Sequence, residues 1–351
     1  MKALVTGGGG FIGRAIVSRL LARGDTVRSF ARGRHPELED LGVETLQGDV
    51  ADAEAVDRAV AGRDVVFHVA ARVGGWGPRA EYRRTNVTGT ENVIAACRRH
   101  GVPKLVYTST PSVVHTGRDI EGADESLPYA ERFETAYPET KAAAERLVLS
   151  ANGATLATVA LRPHLVWGPG DSQLIPRLLS RARAGRVRLV GREDKRVDAT
   201  FIDNAADAHL LAADRLGPNA ACAGRAYFIA QDEPRRASEH LNSILDAAGL
   251  PPVTKRIPTS LAWCAGAAAE ALYWLLRREE EPPLTRFAVR QLATAHWYDL
   301  GAARRDLGYE PKVSTREGLA ILREHFEKQA AANAPVAKTS NPPAAGGSPT
   351  S

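Results

Sequence analysis

The sequence of 351 residues lacks the features of a disulfide framework, a metal centre or a membrane span. Its cysteines are few and far apart, Cys97, Cys222 and Cys264, and their spacing matches no metal or redox motif. We therefore expect buried, reduced thiols in a cytoplasmic protein. No apolar run is long enough to cross a membrane. We also expect no signal peptide, because a glycine-rich turn begins only a few residues after Met1.

An excess of charge of one sign is also missing. The chain has 46 basic and 41 acidic residues, a net charge of +5. The basic residues are mostly arginines that lie beside acids in helix-like segments, so solvated helix faces are favoured over a nucleic-acid-binding stripe. A hydrophobic content of 44% is that of an ordinary globular protein, and the length predicts two or three domains.

What the chain does contain is a glycine-rich turn near its start. The apolar run Ala3-Leu4-Val5 predicts a buried strand, and a segment with helical spacing of apolar residues follows. Between them, Gly7 permits a tight turn, Gly10 a close approach of a pyrophosphate, and Gly13 close packing of the helix on the strand. Such turns also occur without a ligand, but the flanking strand and helix favour a dinucleotide site at the helix start.

The end of the second predicted strand, 26–30, indicates which dinucleotide binds. In NAD enzymes an acid about 20 residues after the glycines binds the ribose 2′-hydroxyl. Here the position holds Ala31, followed by Arg32 and Arg34, and guanidinium groups suit a 2′-phosphate. The sequence therefore predicts NADP(H), with Arg32 as the leading contact and Arg34 second. The alternative is that both arginines belong to an exposed loop.

Further alternation of strands and helices predicts an α/β fold with a doubly wound parallel sheet. The third strand ends near Asp49, which either binds the adenine amino group or caps the next helix. The fourth, 64–71, is nearly all apolar, which is typical of a parallel strand covered on both faces. Trp76 lies in the glycine loop after it, where it either anchors the loop or lines a pocket.

One pair of residues in the next part of the chain suggests catalysis. Tyr137 and Lys141 have i, i+4 spacing and lie on one face of a predicted helix. That spacing is common and means little alone. Its place after the glycine turn, four further strands and the hydroxyl-rich segment 108–112 makes it informative.

Together these motifs resemble the extended short-chain dehydrogenase/reductase superfamily, with a Rossmann-type sheet and a smaller C-terminal α/β substrate domain. The matching segments are Thr6–Gly13, Asp49-Val50, His68–Ala71, Asn86-Val87, Tyr107–Thr110, Tyr137–Lys141, Arg162-Pro163-His164 and Trp167–Gly170. They cover about the first 215 residues and are specific as a set.

The resemblance implies a role for each matched residue. Lys141 would bind the nicotinamide ribose and lower the pKa of Tyr137, which would donate a proton to a carbonyl oxygen. Thr110 would hold that oxygen, with Ser109 as the near alternative, and Asn86 would steady a proton-relay water. With the two arginines added, the candidate cofactor contacts are Gly7, Gly10, Phe11, Ile12, Gly13, Arg32, Arg34, Asp49, Val50, Ala70, Tyr137, Lys141 and Pro163. No metal site is predicted.

Other segments resemble the 3β-hydroxysteroid and sterol-carboxylate dehydrogenase branch, among them Thr110–Val114, Ala160–His164 and Pro283–Phe287. Within that branch, three segments are most similar to bacterial 2-alkyl-3-oxoalkanoate reductases of long-chain olefin biosynthesis: Gly75-Trp76-Gly77, Leu189-Val190-Gly191 and His296-Trp297-Tyr298. The likeness extends to about residue 328. Members of that family reduce the 3-keto group of a branched β-keto acid with NADPH.

The resemblance also implies a division of the chain. Residues 1–165 would form the NADP-binding Rossmann domain, to which 198–230 returns, and 166–328 would be mainly the substrate domain. Composition predicts a disordered tail over 329–351. The apolar segment 261–276 predicts a buried helix, with a helix that borders a substrate tunnel or touches a membrane surface as the alternative.

The partners follow from the same comparison. The expected substrate is a hydrophobic keto acid, and its carboxylate is expected to bind a cationic side chain. The candidate substrate contacts are Trp76, Arg72, His115 and Trp167, with Arg72 or His115 as the cation. A homodimer through the helices that carry Asn86 and Tyr137 is implied, as is assembly with neighbouring pathway enzymes.

The main hypothesis is therefore NADPH-dependent reduction of a free 2-alkyl-3-keto acid. The nearest alternative is a hydroxysteroid or sterol-4-carboxylate dehydrogenase with the same catalytic residues. A nucleotide-sugar epimerase fits less well, because the pocket segments are rich in apolar residues. A non-catalytic NADP-sensing regulator on the same fold is disfavoured, because Tyr137 and Lys141 are both present.

Overall fold

The computed structural model describes residues 1–278 and 280–332. Its strands are β1 (Lys2–Thr6), β2 (Thr26–Ala31), β3 (Glu44–Gln47), β4 (Val65–His68), β5 (Lys104–Thr108), β6 (Ile120–Ala123), β7 (Ala157–Pro163), β8 (Leu189–Val190), β9 (Arg196–Val197), β10 (Arg225–Ile229), β11 (Arg235–Arg236), β12 (Arg256–Ile257) and β13 (His296–Tyr298).

Helices alternate with these strands along most of the chain. They are α1 (Phe11–Ala22), α2 (Pro36–Glu39), α3 (Ala53–Val60), α4 (Arg79–Tyr82), α5 (Gly89–Arg99), α6 (Ala136–Ser150), α7 (Leu174–Arg183), α8 (Ile202–Arg215), α9 (Ala237–Ala247), α10 (Thr259–Leu275), α11 (Arg286–Ala293), α12 (Gly301–Leu307) and α13 (Thr315–Ala332). A π-helical segment, Arg83–Thr88, joins α4 to α5, and a 3₁₀ turn, Pro111–Val113, follows β5.

Seven parallel strands form the central sheet, in the spatial order β10-β7-β5-β4-β1-β2-β3. Chain order reverses at β1, which pairs with β2 on one side and β4 on the other. Because every strand runs the same way, their carboxyl ends meet at one edge of the sheet, where ligands bind in open α/β folds. The predicted α/β fold with a doubly wound parallel sheet is confirmed.

Apolar layers cover both faces of this sheet. Val65 and Phe67 of β4 belong to the layer under α1 and α8, whereas Val66 belongs to the layer under α3, α5 and α6. Successive side chains of a strand point to opposite faces, so a strand buried on both faces needs apolar residues at every position. This explains the nearly continuous apolar run that the sequence shows there.

The smaller elements lie mainly in the second half of the chain. A four-stranded sheet has the order β11-β9-β13-β6, and β8 pairs with β12. Two parts of the second half, α8 and β10, join the large sheet and its covering layer. The last described helix continues to Ala332, so the first four residues of the tail predicted for 329–351 are helical, and 333–351 lies outside the described residues.

The prediction of a buried helix over 261–276 is wrong. Only Ala262 and Gly266 of α10 are buried, whereas Trp274 is 75% and Leu275 71% exposed. The segment packs against α11. Apolar composition alone does not reveal that, among residues 1–278 and 280–332, no element covers its other faces. The same exposure corrects one cysteine: Cys97 and Cys222 are buried as predicted, but Cys264 on α10 is exposed.

None of the helices described for residues 1–278 and 280–332 has both the length and the apolar character needed to cross a membrane.

Candidate active site

The glycine turn between β1 and α1 has the geometry that a dinucleotide requires. Gly7 adopts φ +70° and its N–H donates to the carbonyl of Phe30 at 2.7 Å. A Cβ on Gly13 would lie 2.1 Å from the carbonyl oxygen of Gly7, so only glycine allows this packing. The first turn of α1 has no side-chain cap and no acid. Its free N–H groups therefore fit a pyrophosphate.

The residues that follow β4 bind the end of β1, directly before the glycine turn. The Thr6 hydroxyl accepts hydrogen bonds from the N–H groups of Val69 and Ala70, each at 3.2 Å. A Cβ on Gly7 would lie 3.0 Å from the Cα of Ala70. The ends of β1 and β4 thus form one continuous wall, and Ala70, a predicted cofactor contact, lies in it. Val50, another predicted contact, is buried beside α5.

A cavity of about 300 Å³ lies beyond the end of β2, where the adenosine ribose is expected. Its lining includes Ala31, Arg34 and His35 but not Arg32. Arg32 is exposed, and its carbonyl accepts a hydrogen bond from Gln47 at 2.8 Å. Of the two predicted arginines, only Arg34 is part of this lining, which also includes Glu39.

Sequence reasoning gave no role to His35. Its ring lies directly over Gly9, where an added Cβ would be 2.1 Å from its Nε2. The imidazole therefore connects the adenosine cavity to the glycine turn. Its only sequence signal is its place directly after the two arginines, which does not separate it from an ordinary loop residue.

Asp49 does not cap the following helix, so that reading is wrong. The cap of α3 is Asp52, whose side chain accepts from the N–H groups of Glu54 and Ala55. Asp49 instead forms an ion pair with Arg84 at 2.9 Å. The helix begins at Ala53, where the sequence pattern predicts it, and the residue directly before it, Asp52, supplies the cap. A contact of Asp49 with adenine stays a prediction.

The structure brings Tyr137 and Thr110 together. Thr110 begins the turn after β5, where its hydroxyl accepts from the N–H of Ser112 at 3.2 Å. Burial raises the pKa of Tyr137 to about 12, and the nearby Thr110 hydroxyl acts in the opposite direction. Tyr137 is thus a protonated phenol at neutral pH, the form that donates a proton. Beside Thr110, the Ser109 hydroxyl is buried without a partner in the described part of the chain.

Lys141 lies one helical turn further along α6 and is only 2% exposed. Its ammonium group donates to the carbonyl of Thr108 and lies 4.1 Å from the centre of the Tyr107 ring. Burial lowers the pKa of Lys141 to about 7, and the negative charge of Glu145 acts against that shift. The Lys141 amine is therefore weakly basic and only partly protonated at neutral pH.

Sequence reasoning also missed the ion pair behind this lysine. Glu145 is fully buried and accepts from Arg162 at 2.6 Å and from the Tyr129 hydroxyl at 2.7 Å. Glu145 is four residues after Lys141 on the same face of α6, and Arg162 directly precedes Pro163 at the end of β7. The sequence shows that Glu145 lies one helical turn after Lys141, but it does not show that Arg162 of β7 is its partner.

The amide of Asn86 binds protein groups. Its Oδ1 accepts from the N–H of Arg72 at 2.7 Å, and its Nδ2 donates to the Arg72 carbonyl at 3.1 Å and to the Thr140 hydroxyl at 3.0 Å. Asn86 therefore anchors the loop after β4 to α6. It lies in the π-helical segment, where a distorted turn is common at functional sites. Its role toward a proton-relay water stays a prediction.

A cleft of about 350 Å³ is lined by Trp76 and by Ala136, the residue before Tyr137, whereas Tyr137 itself is not part of the lining. The full lining is Gly75, Trp76, Gly77, Arg79, Glu134, Thr135, Ala136, Trp263, Glu270, Arg286, Phe287 and Arg290. The indole N–H of Trp76 also donates to the carbonyl of Arg278 at 3.1 Å. Trp76 thus anchors its loop and lines the pocket, the two readings that the sequence left open.

The other three candidate substrate contacts lie outside this lining. Arg72 forms an ion pair with Glu81 at 2.7 Å. Burial lowers the pKa of His115 to about 4, so it is neutral at neutral pH and is wrong as the cation. Trp167 is fully buried against Phe201, so no surface of it is left for a substrate, and its selection is also wrong. The groups that surround Arg72, His115 and Trp167 come from other parts of the chain, so the local sequence around each residue does not predict them.

The fold and the tyrosine–lysine helix define an oxidoreductase of the extended short-chain dehydrogenase/reductase type. Residues 4–257 match the model of the 3-beta hydroxysteroid dehydrogenase/isomerase family, and the chain belongs to that family. The predicted superfamily, branch and enzyme class are confirmed.

Individual relatives narrow the comparison. The 2-alkyl-3-oxoalkanoate reductase of Stenotrophomonas maltophilia is 56% identical over 92% of this chain and 98% of its own length. The protein of the same name from Shewanella oneidensis is 52% identical, over 92% and 85%. Among solved structures, UDP-glucose 4-epimerase of Thermus thermophilus in complex with NAD is 26% identical with a TM-score of 0.69, over 93% of this chain and 99% of that chain.

Replacing Gly13 by Ala tests the close contact of α1 with the turn. The added Cβ would meet the backbone of Gly7, which moves only if the turn opens. We expect a loss of at least about 2 kcal/mol in the free energy of unfolding. Gly153→Ala is the matched control, because its Cβ would enter open space. Equal urea-unfolding midpoints for the two variants would contradict this account.

Replacing Lys141 by Met tests the cost of its burial. The pKa of Lys141 is about 7 in the folded chain against an ordinary 10.5, so between these values the unfolded chain binds more protons. Wild-type stability from this group therefore rises with pH across that window. We expect Lys141→Met to stabilise the fold by at least about 1 kcal/mol at pH 7, and the gain to shrink toward pH 10.

Urea unfolding at pH 7, 8.5 and 10 measures this difference. The exposed Lys328, paired with Glu324, supplies the control variant Lys328→Met, which should change stability little at any of these pH values. A Lys141→Met protein that is less stable than the wild type at pH 7 would show that the buried ammonium is fully compensated.

Proposed function

We propose that the protein reduces the 3-keto group of a 2-alkyl-3-oxoalkanoic acid to the 3-hydroxy acid with NADPH. One observation carries the proposal: a relative that shares 56% of its residues over nearly its whole length is named for this reaction. The cleft beside Tyr137 supports it, because aromatic side chains and arginines share its wall. Such a wall suits a substrate with an alkyl part and a carboxylate.

A nicotinamide dinucleotide, which supplies the hydride when bound, is supported by the glycine turn and by the NAD complex of the Thermus thermophilus structure. The phosphate form is the finer proposal. Arg34 would bind the 2′-phosphate in the adenosine cavity, where no acid stands at position 31 to repel it. The first turn of α1 would hold the pyrophosphate, and Ala70 and Pro163 would border the groove.

The proton step is assigned to Tyr137. In the reductive direction its phenol donates to the substrate carbonyl oxygen as negative charge develops there. The Thr110 hydroxyl holds the same oxygen and aligns it with the phenol. Lys141, when charged, stabilises the phenolate that remains and so lowers the pKa of Tyr137 during the reaction. Thr110 and Lys141 are buried and Tyr137 is half-buried, so little water competes for these interactions.

The family also carries the name of hydroxysteroid dehydrogenases, and this is the alternative activity. This activity would use the same three catalytic groups, so only the residues that contact the substrate would distinguish it from reduction of the keto acid. The homodimer, the assembly with pathway enzymes, the role in olefin synthesis, the cytoplasmic location and the division into domains at residue 165 remain proposals from the resemblance.

Substrate profiling tests the function. Purified protein is given NADPH or NADH with a freshly made 2-alkyl-3-keto acid, and with a 3-keto-steroid in parallel. We expect oxidation of NADPH with the keto acid only. Tyr137→Phe should lower turnover by at least about 100-fold while leaving cofactor binding intact, because it removes only the proton donor. Turnover of the steroid with NAD(H), and none of the keto acid, would move the protein to the alternative activity.

Replacing Arg34 by Ala tests the choice of cofactor. A charged hydrogen bond to a 2′-phosphate is lost, so the KM for NADPH should rise about 10-fold or more, while the KM for NADH changes less than about 2-fold. Arg32→Ala is the matched comparison and should have the smaller effect, because Arg32 lies outside the cavity lining. A larger effect of Arg32→Ala would restore the order that the sequence alone suggested.

A further inference from the structure

The cleft beside Tyr137 contains three arginines, and they are not equivalent. Arg79 is 67% exposed at the rim and pairs with Glu139. Arg286 is fixed, because its Nε and its backbone N–H both bind Glu270 and its guanidinium lies 5.7 Å from the centre of the Trp263 ring. All three side chains are partly exposed, Arg286 at 51% and Arg290 at 44%, so they differ in the partners of their guanidinium groups and not in burial.

Arg290 differs from both. It lies one turn after Arg286 on α11, and its Nη1 pairs with Glu134. In the described part of the chain its Nε and Nη2 donate to no other group. A guanidinium binds a carboxylate through two parallel N–H groups, so this second edge is free for a bidentate contact.

A second observation lies beside this pair. Thr135 follows Glu134, lines the same cleft, and its hydroxyl oxygen is buried without a hydrogen-bond partner among the described residues. Buried hydroxyls nearly always have a partner, and an exception calls for an explanation such as a missing ligand. Thr135 is also only two residues before Tyr137, so a group bound here is held close to the proton donor.

We propose that Arg290 and Thr135 bind the carboxylate of the substrate, with Trp76, Trp263 and Phe287 around its alkyl part. This inference rests on the proposed function and names the residues that make the enzyme select a free acid. Glu134 competes for Arg290 and keeps its charge compensated when no substrate is bound. The two carboxylates share one guanidinium, so removing Glu134 strengthens the site for an acid.

The test compares the keto acid with its methyl ester, which keeps the alkyl chains and lacks the charge. Arg290→Gln should raise the KM for the acid about 10- to 100-fold and leave that for the ester within about 2-fold. Glu134→Gln should lower the KM for the acid several-fold and leave the ester unchanged. A merely structural role of this ion pair would shift acid and ester together, and both variants in the same direction.

Arg323→Gln serves as the control, because Arg323 forms a comparable exposed ion pair with Asp246 on the far helix α13. Calorimetric binding of a long-chain 2-alkyl carboxylic acid without a keto group measures the subsite without turnover. Weaker binding to Arg290→Gln, with tighter binding to Glu134→Gln, supports the subsite even if the keto acid is not reduced. Reduction of the keto acid with unchanged acid-to-ester preference in both variants overturns the subsite and leaves the proposed function standing.

Discussion

The candidate active site depends on placing the amine of Lys141 inside the protein, at a cost to the stability of the fold. A buried cation is costly unless polar groups surround it. The carbonyl of Thr108, the face of Tyr107 and the carboxylate of Glu145 provide that surrounding. Glu145 is itself fully buried, so it needs Arg162 in turn. The charge of Lys141 is compensated by Glu145, and that of Glu145 by Arg162. These contacts connect α6 with β5 and β7, whose ends meet at the candidate active site.

Much of this site was predictable because its members are local motifs at strand ends. In a parallel sheet, every strand delivers its following residues to the same edge. Gly7, Thr110 and Tyr137 are each recognisable from a few neighbouring residues and from their order along the chain. Once the sheet is correct, their proximity follows. The fold and the enzyme class could therefore be predicted from sequence.

What the sequence did not reveal are partners supplied by distant segments. Arg72 pairs with Glu81 and lies outside the cleft lining, and its own motif indicates neither fact. His115 lost its charge through burial, a property of the packed protein and not of its neighbours in sequence. The helix α10 looked like a core element because composition records apolar residues but not whether another element covers them.

The parts of the site that the sequence predicts lie within the family model, and the parts that it does not predict lie largely beyond it. The family model ends at residue 257, whereas the cleft wall that includes Trp263, Arg286 and Arg290 comes later in the chain. The family model therefore covers the glycine turn and the tyrosine–lysine helix, whereas α10 and α11 lie beyond it. Under the proposed function, changes in these two helices would alter the accepted substrate without disturbing the buried charges behind Lys141. One catalytic pair would then serve a family named for steroids and relatives named for oxoalkanoates.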